Sequence, residues 1–179
     1  MTYPQELEPT ATEIVELPSG KTVVIPKATP IFKVWTGEKI TDTYGGKLVL
    51  DFDGKPEFAE LGILRLFEGA GWQGFWVDTF HGKYRTCYWP ANEVEPPDDQ
   101  ASLLNRIHEA AGTRKGCWDV FCWNGDRYIF AESKRHAKDS LQDTQRRWLE
   151  AAIECGLPLE SFLVVEWSRM KPAKGWPKK

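Results

Sequence analysis

Along this chain the apolar positions switch between alternating and helical spacing, and the switches predict a mixed α/β fold with helices covering a sheet. "VELPSGKTVVIP" reads as two short strands around a Pro-Ser-Gly turn, and "FKVWTGEKITDTYGGKLVLDFDGK" continues with short, turn-punctuated strands. Residues 1–50 are therefore expected to form a small β-rich N-terminal appendage, with 51–179 as the main domain and its basic tail, "SRMKPAKGWPKK".

Helical spacing first sets in at "PEFAELGILRLFEGAG", where Phe58, Leu61, Leu64 and Phe67 recur on one face and glycines 69 and 71 end the run. "WQGFWVDTF" and "KYRTCYWP" follow as strands joined at His81-Gly82. Asp99 is placed to cap a helix through "QASLLNRIHEAAG". A last helix is expected in "DSLQDTQRRWLEAAIECG", capped by Asp139 or Ser140 and stopped by Gly156, before a final strand "SFLVVEW".

Between the second and third helices lies "GCWDVFCWNGDRYIFAESK", an apolar hairpin interrupted by Asp119, Glu132 and Lys134. Burying an ionised group costs several kcal/mol unless it is paired or binds a metal, so these three need a reason. Asn124-Gly125 is a strong two-residue hairpin signal. With those two residues as the loop, Trp123 faces Asp126 and Asp119 faces Phe130. Period-two alternation then sends Asp119, Glu132 and Lys134 to one face, the two acids as diagonal neighbours with Cβ atoms roughly 7 Å apart. Two carboxylates at that separation can share one cation, and Mg²⁺ accepts one or two carboxylates plus water and phosphate oxygens.

Charge and cysteine usage narrow the alternatives. A net charge of −3 excludes an indiscriminate binder of polyanions, yet residues 111–179 hold 13 Lys and Arg against 9 Asp and Glu, a local positive surplus. The four cysteines form no CxxC pair and, with the three histidines, no zinc spacing, so they read as small buried hydrophobes in a reducing compartment. No run is long and apolar enough to span a membrane, and the start has no signal-peptide pattern; the expectation is a cytoplasmic protein without a membrane partner.

The stretch "AAGTRKGCWDVFCWNGDRYIFAESKRHAKDSLQDTQRRWLEAAIECG" resembles the PD-(D/E)xK nuclease superfamily, most closely its VRR-NUC type, which has a restriction-endonuclease-like, Holliday-junction-resolvase-like fold. The family's R-K-G-x-x-D loop corresponds to Arg114-Lys115-Gly116 with Asp119, its E-x-K to Glu132-Ser133-Lys134, and its Q-x-x-W helix to Gln145 and Trp148, with Gly156 at the helix end. Trp118 stands where the family usually has proline, and Arg135-His136 where a glycine often follows E-x-K.

The resemblance implies a nuclease dependent on Mg²⁺ or Mn²⁺ that hydrolyses phosphodiester bonds of nucleic acid, with DNA the expected partner and homodimers common among small enzymes of this type. Asp119 and Glu132 would hold the metal, with the main-chain carbonyl of Ser133 and with Glu60 through water; Lys134 would orient and help deprotonate the attacking water, and Gln145 would face the site. Arg114, Lys115, Arg135, Lys138, Arg146 and Arg147 are candidate phosphate contacts. Trp118 and Trp123 are candidates for stacking on bases, and His136 follows the motif closely. The alternative is a catalytically inactive nuclease-fold module that binds nucleic acid or protein.

Overall fold

The computed structural model describes residues 3–40, 46–88 and 93–170. In chain order these form β1 (Ala11–Glu16), β2 (Thr22–Ala28), β3 (Ile31–Val34), β4 (Leu50–Phe52), β5 (Lys55–Glu57), α1 (Ala59–Gly69), β6 (Gln73–Asp78), β7 (Lys83–Arg85), β8 (Glu93–Val94), α2 (Asp98–Ala111), β9 (Val120–Asn124), β10 (Arg127–Arg135), α3 (Asp143–Glu154) and β11 (Phe162–Arg169). The strands make one mixed sheet in the order β5-β4-β3-β11-β10-β9-β6-β7-β8, with the β1–β2 hairpin joined through β2 to β11. Most pairs are antiparallel; β11 runs parallel to β10, β2 and β3. The parallel β10–β11 pair needs a crossover, which α3 provides.

Central strands covered on both faces must be apolar on both, and β9 to β11 are. Val120, Cys122, Ile129, Ala131, Leu163 and Val165 face Leu61, Leu64 and Phe67 of α1. On the opposite face Phe121, Phe130, Phe162 and Val164 meet Leu103, Leu104 and Ile107 of α2 and Trp148 and Leu149 of α3. The expected α/β class and the three expected helices are thus present, with helices on both sides of the sheet.

Three expectations need correction. Residues 1–50 are not an appendage, because Lys27 and Ala28 of β2 pair with Val164 and Val165 of β11. Val15, Leu17, Val23 and Ile25 also belong to the same core cluster as Trp148 and Phe162. The sequence shows a run of short strands but not that two of them, β2 and β3, line one edge of a strand from the far end of the chain. The third helix begins at Asp143 rather than near residue 140; Leu141 is buried from the preceding loop. The hairpin loop is Gly125-Asp126, not Asn124-Gly125, since Asn124 pairs with Arg127 and Phe121 with Phe130. Gly125 takes φ +59° in the first loop position, the arrangement of a type II′ turn. Stacking of Phe121 on Phe130, with centroids 4.3 Å apart and planes at 3°, favours that register. The basic tail beyond Met170, residues 41–45 of the stretch "FKVWTGEKITDTYGGKLVLDFDGK" and residues 89–90 at the end of "KYRTCYWP" lie outside the described residues.

Candidate active site

The two-residue change of register preserves the face on which each side chain lies, because strand side chains alternate with period two. It brings Asp119 level with Glu132. The ladder between β9 and β10 ends at Val120–Ala131, and one step beyond it side chains replace carbonyls as acceptors. The Asp119 N–H donates to Glu132 Oε2 at 3.3 Å, and the Ser133 N–H donates to Asp119 Oδ2 at 3.0 Å. The Asp119 carbonyl still accepts from Val77 N–H of β6 at 2.8 Å. The strands therefore part where the acids sit, and each acid is held by the other's backbone neighbourhood.

Glu132 is buried, with 1% of its surface exposed, and three groups meet its carboxylate. Besides the Asp119 N–H, Lys134 Nζ lies 2.9 Å from Oε1 and Gln145 Nε2 donates to the same oxygen at 2.5 Å. Gln145 Oε1 in turn accepts from Lys134 Nζ and from the Gln142 N–H, each at 3.0 Å. The second of these bonds caps the N-terminus of α3, as a glutamine three residues past the N-cap commonly does. One amide thus ties the start of a helix to a buried acid and its lysine.

Burial pushes the Asp119 carboxyl well above the usual carboxylate range, and the charges of Glu132 and Glu60 add to it; Lys47 and the Ser133 N–H oppose the rise without cancelling it. Burial likewise raises Glu132, against the pull of Lys134 and of hydrogen bonds from Asp119. Two acids in hydrogen-bonding reach, each resisting full ionisation, form a site whose missing positive charge a hard cation would supply. Oxygen donors at Asp119 and Glu132 suit Mg²⁺ or Mn²⁺ on that ground. Among the described residues, however, no three His, Cys, Asp or Glu side chains gather as a ready metal-binding group.

Glu60, in the first turn of α1, is electrostatically coupled to Asp119, but its carboxylate Oε1 accepts a short hydrogen bond from Lys47. Ser133 contributes its N–H to Asp119, while its Oγ accepts from Trp167 Nε1 at 3.0 Å.

A cleft of about 480 Å³ opens beside the acids, lined by Asp119, Gln145, Asp78, His108, Arg114 and Lys115 among others. Arg114 and Lys115 are exposed on its wall, where a phosphate could reach them. The loop carrying them ends at Gly116, whose φ of +90° and position against α3 exclude a side chain: a Cβ there would lie 2.1 Å from the Thr144 carbonyl oxygen. The glycine of the R-K-G run is thus what lets the basic loop press against the helix that carries Gln145.

The other candidate contacts divide. Lys138 is exposed in the turn after β10, while Arg135 is half-buried with its guanidinium 6.0 Å from the Trp167 ring. Arg146 is turned back toward the loop before α3, donating to the Leu141 carbonyl at 3.1 Å; Arg147 is exposed. His136 pairs with Glu166 at 3.3 Å. Trp118 is a correction: it is fully buried, edge-on to Phe162, with Nε1 donating to the Gln145 carbonyl at 3.4 Å, and it has no face to offer a base. Trp123 lies at the turn end of the hairpin, packed on Phe75 and Phe121 and bonded to Gln73.

Sequence reasoning overlooked Lys47, Asp78 and His108. Asp78 ends the apolar run "FWVD" as Asp119 ends its own loop, a signal available in the sequence. It is buried and held by Arg85 Nε at 2.9 Å and His81 Nδ1 at 2.6 Å. Burial raises its pKa, but those hydrogen bonds outweigh it and leave the carboxylate below its ordinary range. Neither buried ring nitrogen of His108 has a hydrogen-bond partner among the described residues, and burial followed by the Arg114 charge lowers its pKa. Lys47 carries no local motif; only the fold brings it to Glu60. No protein-family model, curated protein or solved structure matches this chain.

Proposed function

We propose that this protein is a divalent-metal-dependent nuclease of restriction-endonuclease-like architecture that hydrolyses phosphodiester bonds, with DNA as its substrate. One observation carries the reading: buried Glu132 and Lys134 and half-buried Asp119 and Gln145 form a single hydrogen-bonded network that opens onto a cleft walled by Arg114 and Lys115. A lysine and two acids joined this closely at the end of a central hairpin exceed what packing requires, because well-packed apolar residues would serve stability as well or better.

Asp119 and Glu132 would hold Mg²⁺ or Mn²⁺, with Glu60 in reach once released from Lys47. A bound cation of this kind lowers the pKa of a water and offsets charge on the scissile phosphate. Lys134, fixed between Glu132 and Gln145, would hold its ammonium toward the attacked phosphate oxygen and stabilise the charge that develops there. Arg114 and Lys115 would hold the strand's backbone in the cleft without reading its sequence.

A second reading, a nuclease-fold module that binds nucleic acid without cutting it, draws support from Glu60, which is paired with Lys47 and so not free to join the other acids. Incubating linear, nicked and branched DNA with Mn²⁺ and either wild type or Lys134→Ala separates the two. Cutting by wild type alone, with binding retained in the variant, supports the nuclease. Binding without cutting by wild type supports the module, and equal cutting by both proteins removes Lys134 from the chemistry.

A further inference from the structure

Lys47 lies in the short segment before β4, far in sequence from the hairpin acids, yet its ammonium reaches into their surroundings. Nζ donates to Glu60 Oε1, lies 5.0 Å from the centroid of the Phe58 ring and 5.6 Å from that of Trp76, and feels the fields of Asp119 and Asp78. An acid beside two aromatic faces is a setting that favours a cation, and here the chain supplies its own. Burial lowers the pKa of this amine, but the charge and hydrogen bond of Glu60, followed by Asp119 and Asp78, more than restore it, so the group stays an ammonium.

We propose that Lys47 is an internal counter-cation that occupies the acidic site when no divalent metal is bound, and that metal loading displaces it from Glu60. This inference rests on the nuclease reading above. Residues that could serve one dication are divided: Asp119 and Glu132 on the hairpin side, Glu60 held by Lys47 on the α1 side.

The device is suited to release. Lys47 is about one-third exposed, 36% by its side chain, and its four-carbon stem can swing the charge into water without moving the backbone. The backbone is anchored just after Lys47: Leu48 packs toward Leu50, Ala59 and Trp167, and Trp35 N–H bonds the Val49 carbonyl at 3.1 Å. Occupancy by the ammonium raises the apparent metal Kd in inverse proportion to the fraction of time the site is open, which moves half-filling to a higher metal concentration.

Calorimetric titration with Mn²⁺ alone tests this on wild type, Lys47→Met and Lys47→Gln. The expected result is binding about tenfold tighter in both variants, as for a site otherwise closed nine-tenths of the time. Wild-type protein offers a second measurement: labelling of Lys47 by an amine-acylating reagent should rise severalfold on adding saturating Mg²⁺, while Lys27, paired with Glu13 and Glu166, stays constant. Equal or weaker Mn²⁺ binding in the variants, or unchanged labelling of Lys47, overturns the proposal and leaves the nuclease reading standing. Absence of Mn²⁺ binding in all three proteins overturns both.

Discussion

The backbone N–H of Asp119 points at the carboxylate of Glu132, 3.3 Å away, where a continuing ladder would have given it a carbonyl. A side chain thus completes the sheet, and the acid it belongs to is fixed in place by the strand it interrupts. The electrostatic cost falls on the pair of acids: burial raises both pKa values, and for Asp119 the charges of Glu132 and Glu60 add to it.

That cost has a sign. A carboxyl whose folded pKa lies above its unfolded value favours folding at pH below the ordinary Asp range, about 4, and loses that contribution as pH climbs through the raised value. Metal-free wild type should therefore lose stability with rising pH over this window, and Asp119→Asn should flatten the loss. Melting temperatures measured against pH in EDTA check this: the variant is expected to melt above wild type at pH 7 to 8 while cutting no DNA. A variant that melts lower at neutral pH would contradict the assigned shift.

Lys134→Met leaves a carboxylate with 1% exposure without its cation. Breaking one side of a buried pair costs about 3 kcal/mol, whereas replacing both sides is often close to neutral. Urea unfolding should show that loss for Lys134→Met and its recovery in Glu132→Gln/Lys134→Met, with cleavage absent from both.

Gln145 can be separated into its two tasks. Gln145→Glu retains an oxygen for Lys134 and for the Gln142 N–H but sets a second carboxylate against Glu132, where Nε2 now donates at 2.5 Å. It should destabilise the protein at neutral pH and approach wild type as the pH falls and a proton is shared. Gln145→Ala removes the cap as well and should lose about 1 to 2 kcal/mol at every pH. Parallel stability curves for the two variants would sink this division.

Two backbone positions near the site have opposite expected responses. Ala137, in the turn after β10, holds φ +57°, a conformation glycine adopts freely and alanine does not. Ala137→Gly should gain roughly 0.5 to 1 kcal/mol, the relief of strain being partly offset by glycine's unfolded-state entropy. Gly116→Ala meets the Thr144 carbonyl and should lose several kcal/mol, or shift the basic loop off α3. Thermal melts of both variants decide the matter.

The hairpin was legible in the sequence because apolar alternation fixes which side chains share a face, and a register error of two residues leaves that unchanged. The turn type was not: Asn-Gly favours one loop, but stacking of Phe121 on Phe130 favours the neighbouring one. Trp118 looked available for base contact because a lone tryptophan beside an acid carries no mark of burial; only packing against Phe162 and α3 supplies it. Lys47 and the membership of β2 in the central sheet depend on contacts between distant segments, which spacing along a chain does not encode.

β11 has β10 on one side, β2 and β3 on the other, so a strand near one end of the described chain waits for partners from both the middle and the opposite end. Closing a loop that spans most of the sequence carries an entropic cost that is met before its contacts repay it, and such topologies fold slowly. Until β11 arrives, β2 and β10 present unpaired edges of β-rich apolar sequence. During synthesis that interval lasts until residues 162–169 have left the ribosome, which makes the nascent chain, rather than the finished fold, the form most exposed to aggregation.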